Sequence, residues 1–177
     1  MGDASGKGVA TVTLRAATLE DVPFIRGLTT RAEYAPFIGD SDEATLRDWL
    51  HSPAARVLIW DGGDARGFAV FREIGTPGGV VELFRIALDK AGTGRGDAFF
   101  NALLDHAFTE LAAERVWFDA SGENPRAMTV YDRAGCRREG VQRAHWWRPA
   151  LGRAVDLHLF GMLRTEWLAR RSGSDAR

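Results

Sequence analysis

The sequence predicts an α+β domain: one mixed, mostly antiparallel central sheet of about seven strands flanked by about four helices. Three observations carry this. Segments of strand composition and helical stripes follow one another in the order β-α-α-β-β-β-α-β-α-β-β. Three successive strands, near 56–60, 67–74 and 80–88, are separated only by turn residues, which makes an antiparallel meander. The strand at 115–119 is reached through a helix, and such a crossover sets it parallel to the strand at 80–88.

Composition bounds the function classes. A chain of 177 residues suits one domain, spanning 9–168, with short flexible tails at 1–8 and 169–177. Lys and Arg total 23 against 24 Asp and Glu, so the basic excess that non-specific nucleic-acid binding requires is missing. Cys136 is the one cysteine, which rules out an intramolecular disulfide or a cysteine-based metal cluster and suits a reducing, cytoplasmic setting. No apolar run reaches the roughly 20 residues of a membrane span, and no His/Asp/Glu spacing suggests a metal site.

Val9 to Leu14 reads as the first strand from its β-branched content. Thr18 caps a helix with Glu20 and Asp21 in its first turn and Val22, Phe24, Ile25 and Leu28 inward. Arg31 to Asp40 has no period and reads as a loop. A helix follows over about Glu43 to His51, capped by Ser41 or Asp42, with Leu46, Trp49 and Leu50 buried. Asp61-Gly62-Gly63-Asp64 and Gly75-Thr76-Pro77-Gly78-Gly79 turn the meander. Phe100, Leu103, Leu104, Ala107, Phe108 and Leu111 form the clearest helical stripe. Asn124 and Pro125 start a further helix that ends at Gly135, and strands near Val141 to Arg148 and Ala154 to Leu163 close the domain.

Between the strand at 80–88 and the best helix lies Leu88-Asp89-Lys90-Ala91-Gly92-Thr93-Gly94-Arg95-Gly96-Asp97-Ala98. Glycines there let backbone N–H groups approach an anion, and the helix N-terminus adds a partial positive charge. The dinucleotide spacing fails in both registers, at Asp97 and at Phe99, and a P-loop would need a terminal Gly-Lys before Ser or Thr. A phosphate cradle of another kind, or glycines that merely allow the turn, remain.

This loop resembles the acetyl-CoA loop of the GCN5-related N-acetyltransferases, with Gly94, Gly96 and Ala98 in register; Lys90 and Thr93 depart from the family pattern. Asn124-Pro125-Arg126-Ala127 followed by Tyr131-Asp132-Arg133-Ala134-Gly135-Cys136 is similar to the family's second signature, Cys136 replacing its usual Phe. The run from Asp156 to Trp167 resembles the end of the RimJ/RimL branch. The resemblance implies an acetyl-CoA-dependent N-acetyltransferase acting on a small-molecule amine or a protein N-terminus, as monomer or homodimer. Thr93 and Cys136 leave open a second reading, an acyl-CoA-binding sensor without turnover.

The same resemblance implies the site. Backbone N–H groups of Ile86, Ala87 and Leu88 would meet the pantetheine arm and thioester oxygen. Thr93, Gly94, Arg95, Gly96, Asp97 and Ala98 would hold the pyrophosphate, with the Asp97 carboxylate turned to solvent. Asn124 would contact the cofactor arm as well as cap its helix, and Tyr131 would be the general acid. Even alternation puts Glu82 on one strand face with Phe84, Ile86 and Leu88, making it the candidate water-mediated base, with Arg85 on the other face. His145 and His158 are alternatives. Glu33, Tyr34 and Asp40 in the irregular loop, and one of Trp146 and Trp147, are candidate acceptor contacts.

Overall fold

The computed structural model describes residues 12–174. Seven strands form one sheet in the order β1-β2-β3-β4-β5-β7-β6. In chain order the elements are β1 (Thr13–Ala16), α1 (Val22–Thr29), α2 (Glu43–His51), β2 (Arg56–Asp61), β3 (Arg66–Arg72), β4 (Val80–Leu88) and α3 (Gly96–Thr109), followed by β5 (Arg115–Ser121), α4 (Pro125–Arg133), β6 (Arg137–Arg148), β7 (Arg153–Leu163) and α5 (Arg164–Ser174). The β2-β3-β4 meander is antiparallel and β4-β5 is the parallel pair, as the connections dictate.

Several boundaries differ from the sequence expectation. Among the described residues the first strand runs Thr13–Ala16, past the expected end at Leu14; its expected start at Val9 and the expected tail at 1–8 lie outside them. A 3-10 turn, Leu19–Asp21, precedes α1: buried Asp21 accepts from Thr18 N–H at 2.8 Å and from both Arg15 terminal nitrogens at 2.7 Å. Residues 169–174, read as tail, continue α5. Glu166 accepts from Leu163 N–H at 2.9 Å, and buried Trp167 donates Nε1–H to Asp105 at 2.8 Å, so a fifth α-helix is tied down with little apolar periodicity of its own.

The sheet divides two cores. α3, α4 and α5 cover one face, with Phe99, Phe100, Leu103, Phe118, Phe160 and Trp167 at its heart. α1 and α2 cover part of the other, over Ile25, Leu46, Ile59, Phe68 and Val70. Strand β4 serves both, because its register against β3 slips by one residue: Phe71 faces Leu83, yet Val70 faces Arg85. This β-bulge puts one extra residue into β4 and breaks its even alternation. Glu82, Phe84 and Arg85 consequently share the α1/α2 face, whereas Leu83, Ile86 and Leu88 face α3.

Candidate active site

Beyond Glu82 and Trp117, β4 and β5 part: their parallel pairing covers only Val80 to Glu82 against Arg115 to Trp117. The rest of β4 pairs with β3 alone, leaving one strand edge open. Asp89 donates its N–H toward β3, to Arg66 O at 2.7 Å, and backbone direction alternates along a strand. Ile86 and Leu88 therefore turn their N–H and C=O groups into the gap, and Tyr34 takes one of them, its hydroxyl donating to Leu88 O at 2.5 Å. Ala87 turns its backbone to β3. Of the three expected backbone contacts, the first and third are open to the gap, and Ala87 is a wall residue only.

Two concavities meet at this gap. One, of about 610 Å³, runs past Leu88, Gly92, Gly94, Gly96, Arg126 and Arg133. The other, of about 290 Å³, is lined by Phe84, Arg85, Asp119, Ser121, His145 and Trp146. Phe37, Ile38, Ile86, Asn124 and Tyr131 line both. The 31–40 segment roofs the junction. Besides Tyr34, it is strapped down by Arg31, which donates to Asp89 O at 2.6 Å, and by buried Arg148, which donates to Ile38 O at 2.7 Å and also to Ala35 O.

The larger cleft is built for an anion at its glycine end. Arg95 precedes α3 without a side-chain cap, so the N–H groups of the first turn have no intrahelical partner. Gly94 takes φ +78°, a left-handed conformation that favours glycine. A Cβ on Gly96 would sit 3.2 Å from Val130 on α4, so this glycine lets the two helices close up. Two guanidinium groups that sequence reasoning missed reach the cleft from α4, seven residues and hence two turns apart: Arg126, beside Gly92, and Arg133.

Other loop residues act less directly than the resemblance implies. The Thr93 hydroxyl donates to Lys90 O at 3.1 Å, Arg95 pairs with Asp64 at 2.8 Å, and neither side chain lines the cleft; nor does exposed Ala98. Asp97 lines the cleft with its side chain still exposed to solvent, and Arg133 pairs with its carboxylate at 3.0 Å.

At the junction, Tyr131 packs its ring 4.7 Å from both Phe100 and Phe118. Burial pushes its phenol well above the ordinary value, with Cys136 and Asp119 adding to the effect, so it stays protonated. Its hydroxyl makes no hydrogen bond to the described residues. Asn124 caps α4, its Oδ1 accepting from Ala127 N–H at 3.1 Å, which leaves the amide N–H₂ for the cleft.

Glu82 is elsewhere. The bulge removes it from the face of Ile86 and Leu88, and its buried carboxylate accepts from Arg72 Nε at 2.8 Å; neither concavity includes it. Arg85, expected on the opposite face, lies on the same one. The carboxylate that does line the smaller concavity is Asp119 on β5, open to water there but crowded by protein. Burial raises its carboxyl above the usual carboxylate range, with Arg85, His145 and Arg72 pulling the other way. Glu33 sits 3.7 Å from Arg31 and Asp40 accepts from Thr29 at 2.8 Å, both outside the concavities. Trp146 lines the smaller one, whereas Trp147 is 60% exposed and lines neither. Among the described residues there is no cluster of His, Cys, Asp and Glu fit to hold a metal, and no helix is long and apolar enough to cross a membrane.

The acetyltransferase (GNAT) domain family matches residues 11–137, well over half the chain. The chain belongs to the GNAT acetyltransferases. Solved structures share the fold at low sequence identity. The Vibrio cholerae spermidine N-acetyltransferase crystallised with CoA and spermine aligns at TM-score 0.77 and 22% identity, over 89% of this chain and 98% of that one. The Vibrio cholerae spermidine/spermine N-acetyltransferase SpeG in complex with manganese ions aligns at TM-score 0.74 and 24% identity, over 90% of this chain and 96% of that one. This GNAT domain is an acyltransferase, and its cofactor is acetyl-CoA. The chain's own residues fit that cofactor: an open β4 edge suits an amide-bearing arm, and the uncapped α3 terminus flanked by two arginines suits a diphosphate.

Proposed function

We propose that this protein transfers an acetyl group from acetyl-CoA to a primary amine, with Tyr131 as proton donor and Asp119, in place of Glu82, as proton acceptor. The observation that carries the reading is the position of Tyr131: a protonated, otherwise unbonded hydroxyl at the junction of a cofactor-sized cleft and a smaller one. Bound acetyl-CoA supplies an acetyl group already activated as a thioester. Ile86 and Leu88 offer the backbone donors for the arm and carbonyl oxygen, and Asn124 adds its side-chain amide. Gly94, Gly96 and the α3 N-terminus hold phosphate, with Arg126 and Arg133 over it. Tyr131 holds its proton for the departing sulfur, and Asp119 takes one from the acceptor nitrogen.

The run from Asp156 to Trp167 is the basis for placing the chain with the RimJ/RimL-like branch. The smaller concavity, about 290 Å³, favours a small acceptor over a folded protein terminus. Thiol release from acetyl-CoA in the presence of an amine panel tests the reading. Acetyl-CoA binding with no amine consumed would leave the chain a sensor rather than an enzyme.

A further inference from the structure

Arg85 is the charged group in the smaller concavity that acetyl transfer leaves unused. Its guanidinium is packed under the 31–40 roof, so close that a Cβ on Gly39 would lie 2.9 Å from Nη2. It also lies 4.5 Å above the Phe84 ring. Its Nε is buried with no hydrogen-bond partner, and among the described residues no carboxylate lies within 4.0 Å of it. Glu82 is engaged with Arg72 and Asp40 with Thr29, Ser41 and Arg26, while Asp119, which attracts Arg85 across the concavity, stands too far off for an ion pair. Buried Arg148 adds a second positive charge close by. A half-buried cation with no ion pair is costly, and burial, with Arg72 and Arg148 adding, pulls Arg85 down to about 10 against the longer-range attraction of Asp119 and Asp40. The β4 bulge turns Arg85 into the pocket, which is the kind of re-aiming that bulges next to active sites perform.

We infer that the acceptor is a small amine carrying an anionic group of its own, a carboxylate, phosphonate or sulfonate. Arg85 takes the anion, and the nitrogen is presented to Asp119 and Tyr131, which line the same concavity. A planar guanidinium suits such oxyanions because it can donate two parallel hydrogen bonds. The lining argues against a polyamine: it offers one carboxylate, Asp119, against Arg85, with Arg148 nearby, and a polycation would meet repulsion there. The inference rests on the acetyl-transfer reading, and its test separates the two.

Thiol release is measured with β-alanine, 2-aminoethylphosphonate and taurine against ethylamine, together with spermidine, the common α-amino acids and a peptide beginning with Glu. The expected result is a kcat/KM for at least one small anionic amine about tenfold or more above that for ethylamine and spermidine. Arg85→Gln should collapse that preference to about twofold, and Arg85→Lys should retain part of it. Preference for spermidine, ethylamine or the peptide, or a preference indifferent to Arg85→Gln, would overturn the inference while leaving acetyl transfer intact. Should no amine react, acetyl transfer fails instead. The anion site is then read from the melting temperature of the CoA-saturated protein with N-acetyl-β-alanine or N-ethylacetamide. A rise with the first alone, lost in Arg85→Gln, supports the site; no rise overturns it.

Discussion

Arg72 and Glu82 face each other across the β3-β4 pair, and Arg72 donates Nε–H to Glu82 Oε2 at 2.8 Å. The carboxylate is buried, the arginine about one-third exposed and stacked 3.4 Å over Phe84. Removing the acid therefore strands a cation that still reaches water. Glu82→Ala should lower stability by about 1–3 kcal/mol, below the cost for a wholly buried pair. Urea unfolding checks this. The variant's kcat should fall far less than that of Asp119→Asn; the reverse order would return the proton-acceptor role to Glu82.

Tyr131→Phe keeps the ring stack with Phe100, Phe118 and Phe160 and deletes only an unbonded hydroxyl. Stability should change by less than about 0.5 kcal/mol. Turnover at saturating substrates should drop on the order of a hundredfold, the scale of general acid catalysis. Rapid-quench measurement of acetylated product separates this from slow product release.

Gly94 and Gly96 are constrained for different reasons, φ +78° at the first and the 3.2 Å approach of Val130 at the second. Gly94→Val and Gly96→Leu should each weaken CoA binding by about tenfold or more, about 1.4 kcal/mol. Thr93→Ala, whose hydroxyl serves only the loop, should stay within about twofold. Calorimetric titration with CoA makes the comparison.

Arg126→Ala should weaken CoA about tenfold and reduce the salt dependence of binding, since the lost contact is charge on phosphate. Arg133→Ala strands the Asp97 carboxylate at the anion site as well, so its loss should be the larger. Asp97→Asn in that background should recover part of it. A deficit that ignores salt would mean that neither arginine touches phosphate.

Asp21 is held down to about 2 by its hydrogen bonds from Arg15, against burial. A depressed carboxyl stabilises the fold above its unfolded value, near 4, and loses that contribution as pH falls toward the folded one. Asp21→Asn should cost about 1–2 kcal/mol at pH 7, discounted because Arg15 is half exposed. The gap to the parent should narrow below about pH 4 and close near pH 2, as read by chemical unfolding across that range.

Much of this architecture is legible in the residues. Turn glycines delimit the meander, the crossover helix fixes the parallel pair, and the glycine loop, Asn124 and Tyr131 are residues that do line the larger cleft. Glu82 and Arg85 are misassigned because alternation is readable only while it is unbroken. Val80-Val81-Glu82-Leu83-Phe84-Arg85-Ile86 contains no proline or glycine to betray a bulge. Asp119 looks like an ordinary strand residue until the β4-β5 separation opens beside it. Arg126 and Arg133 carry a faint signal, their spacing of seven on one helix face. The 31–40 segment acquires a role only from distant partners, Leu88, Asp89 and Arg148, which no local pattern links to it.

The extra residue in β4 sets Phe84 and Arg85 side by side on one face, as no regular strand could. Deleting Phe84 would bring Leu83 and Arg85 together opposite Phe71 and Val70, the partners they already face, and restore strict alternation with every flanking side chain on its present face. What the strand would lose is the Phe84 ring beneath the Arg72 and Arg85 guanidinium groups, together with the local bend that a bulge adds. Point substitutions at 83–85 keep this doubling of neighbours, whereas a one-codon deletion removes it. A chain lacking the residue at 84 should therefore keep the glycine loop and the open strand edge in place while losing the doubled Phe84 and Arg85 side chains on the α1/α2 face.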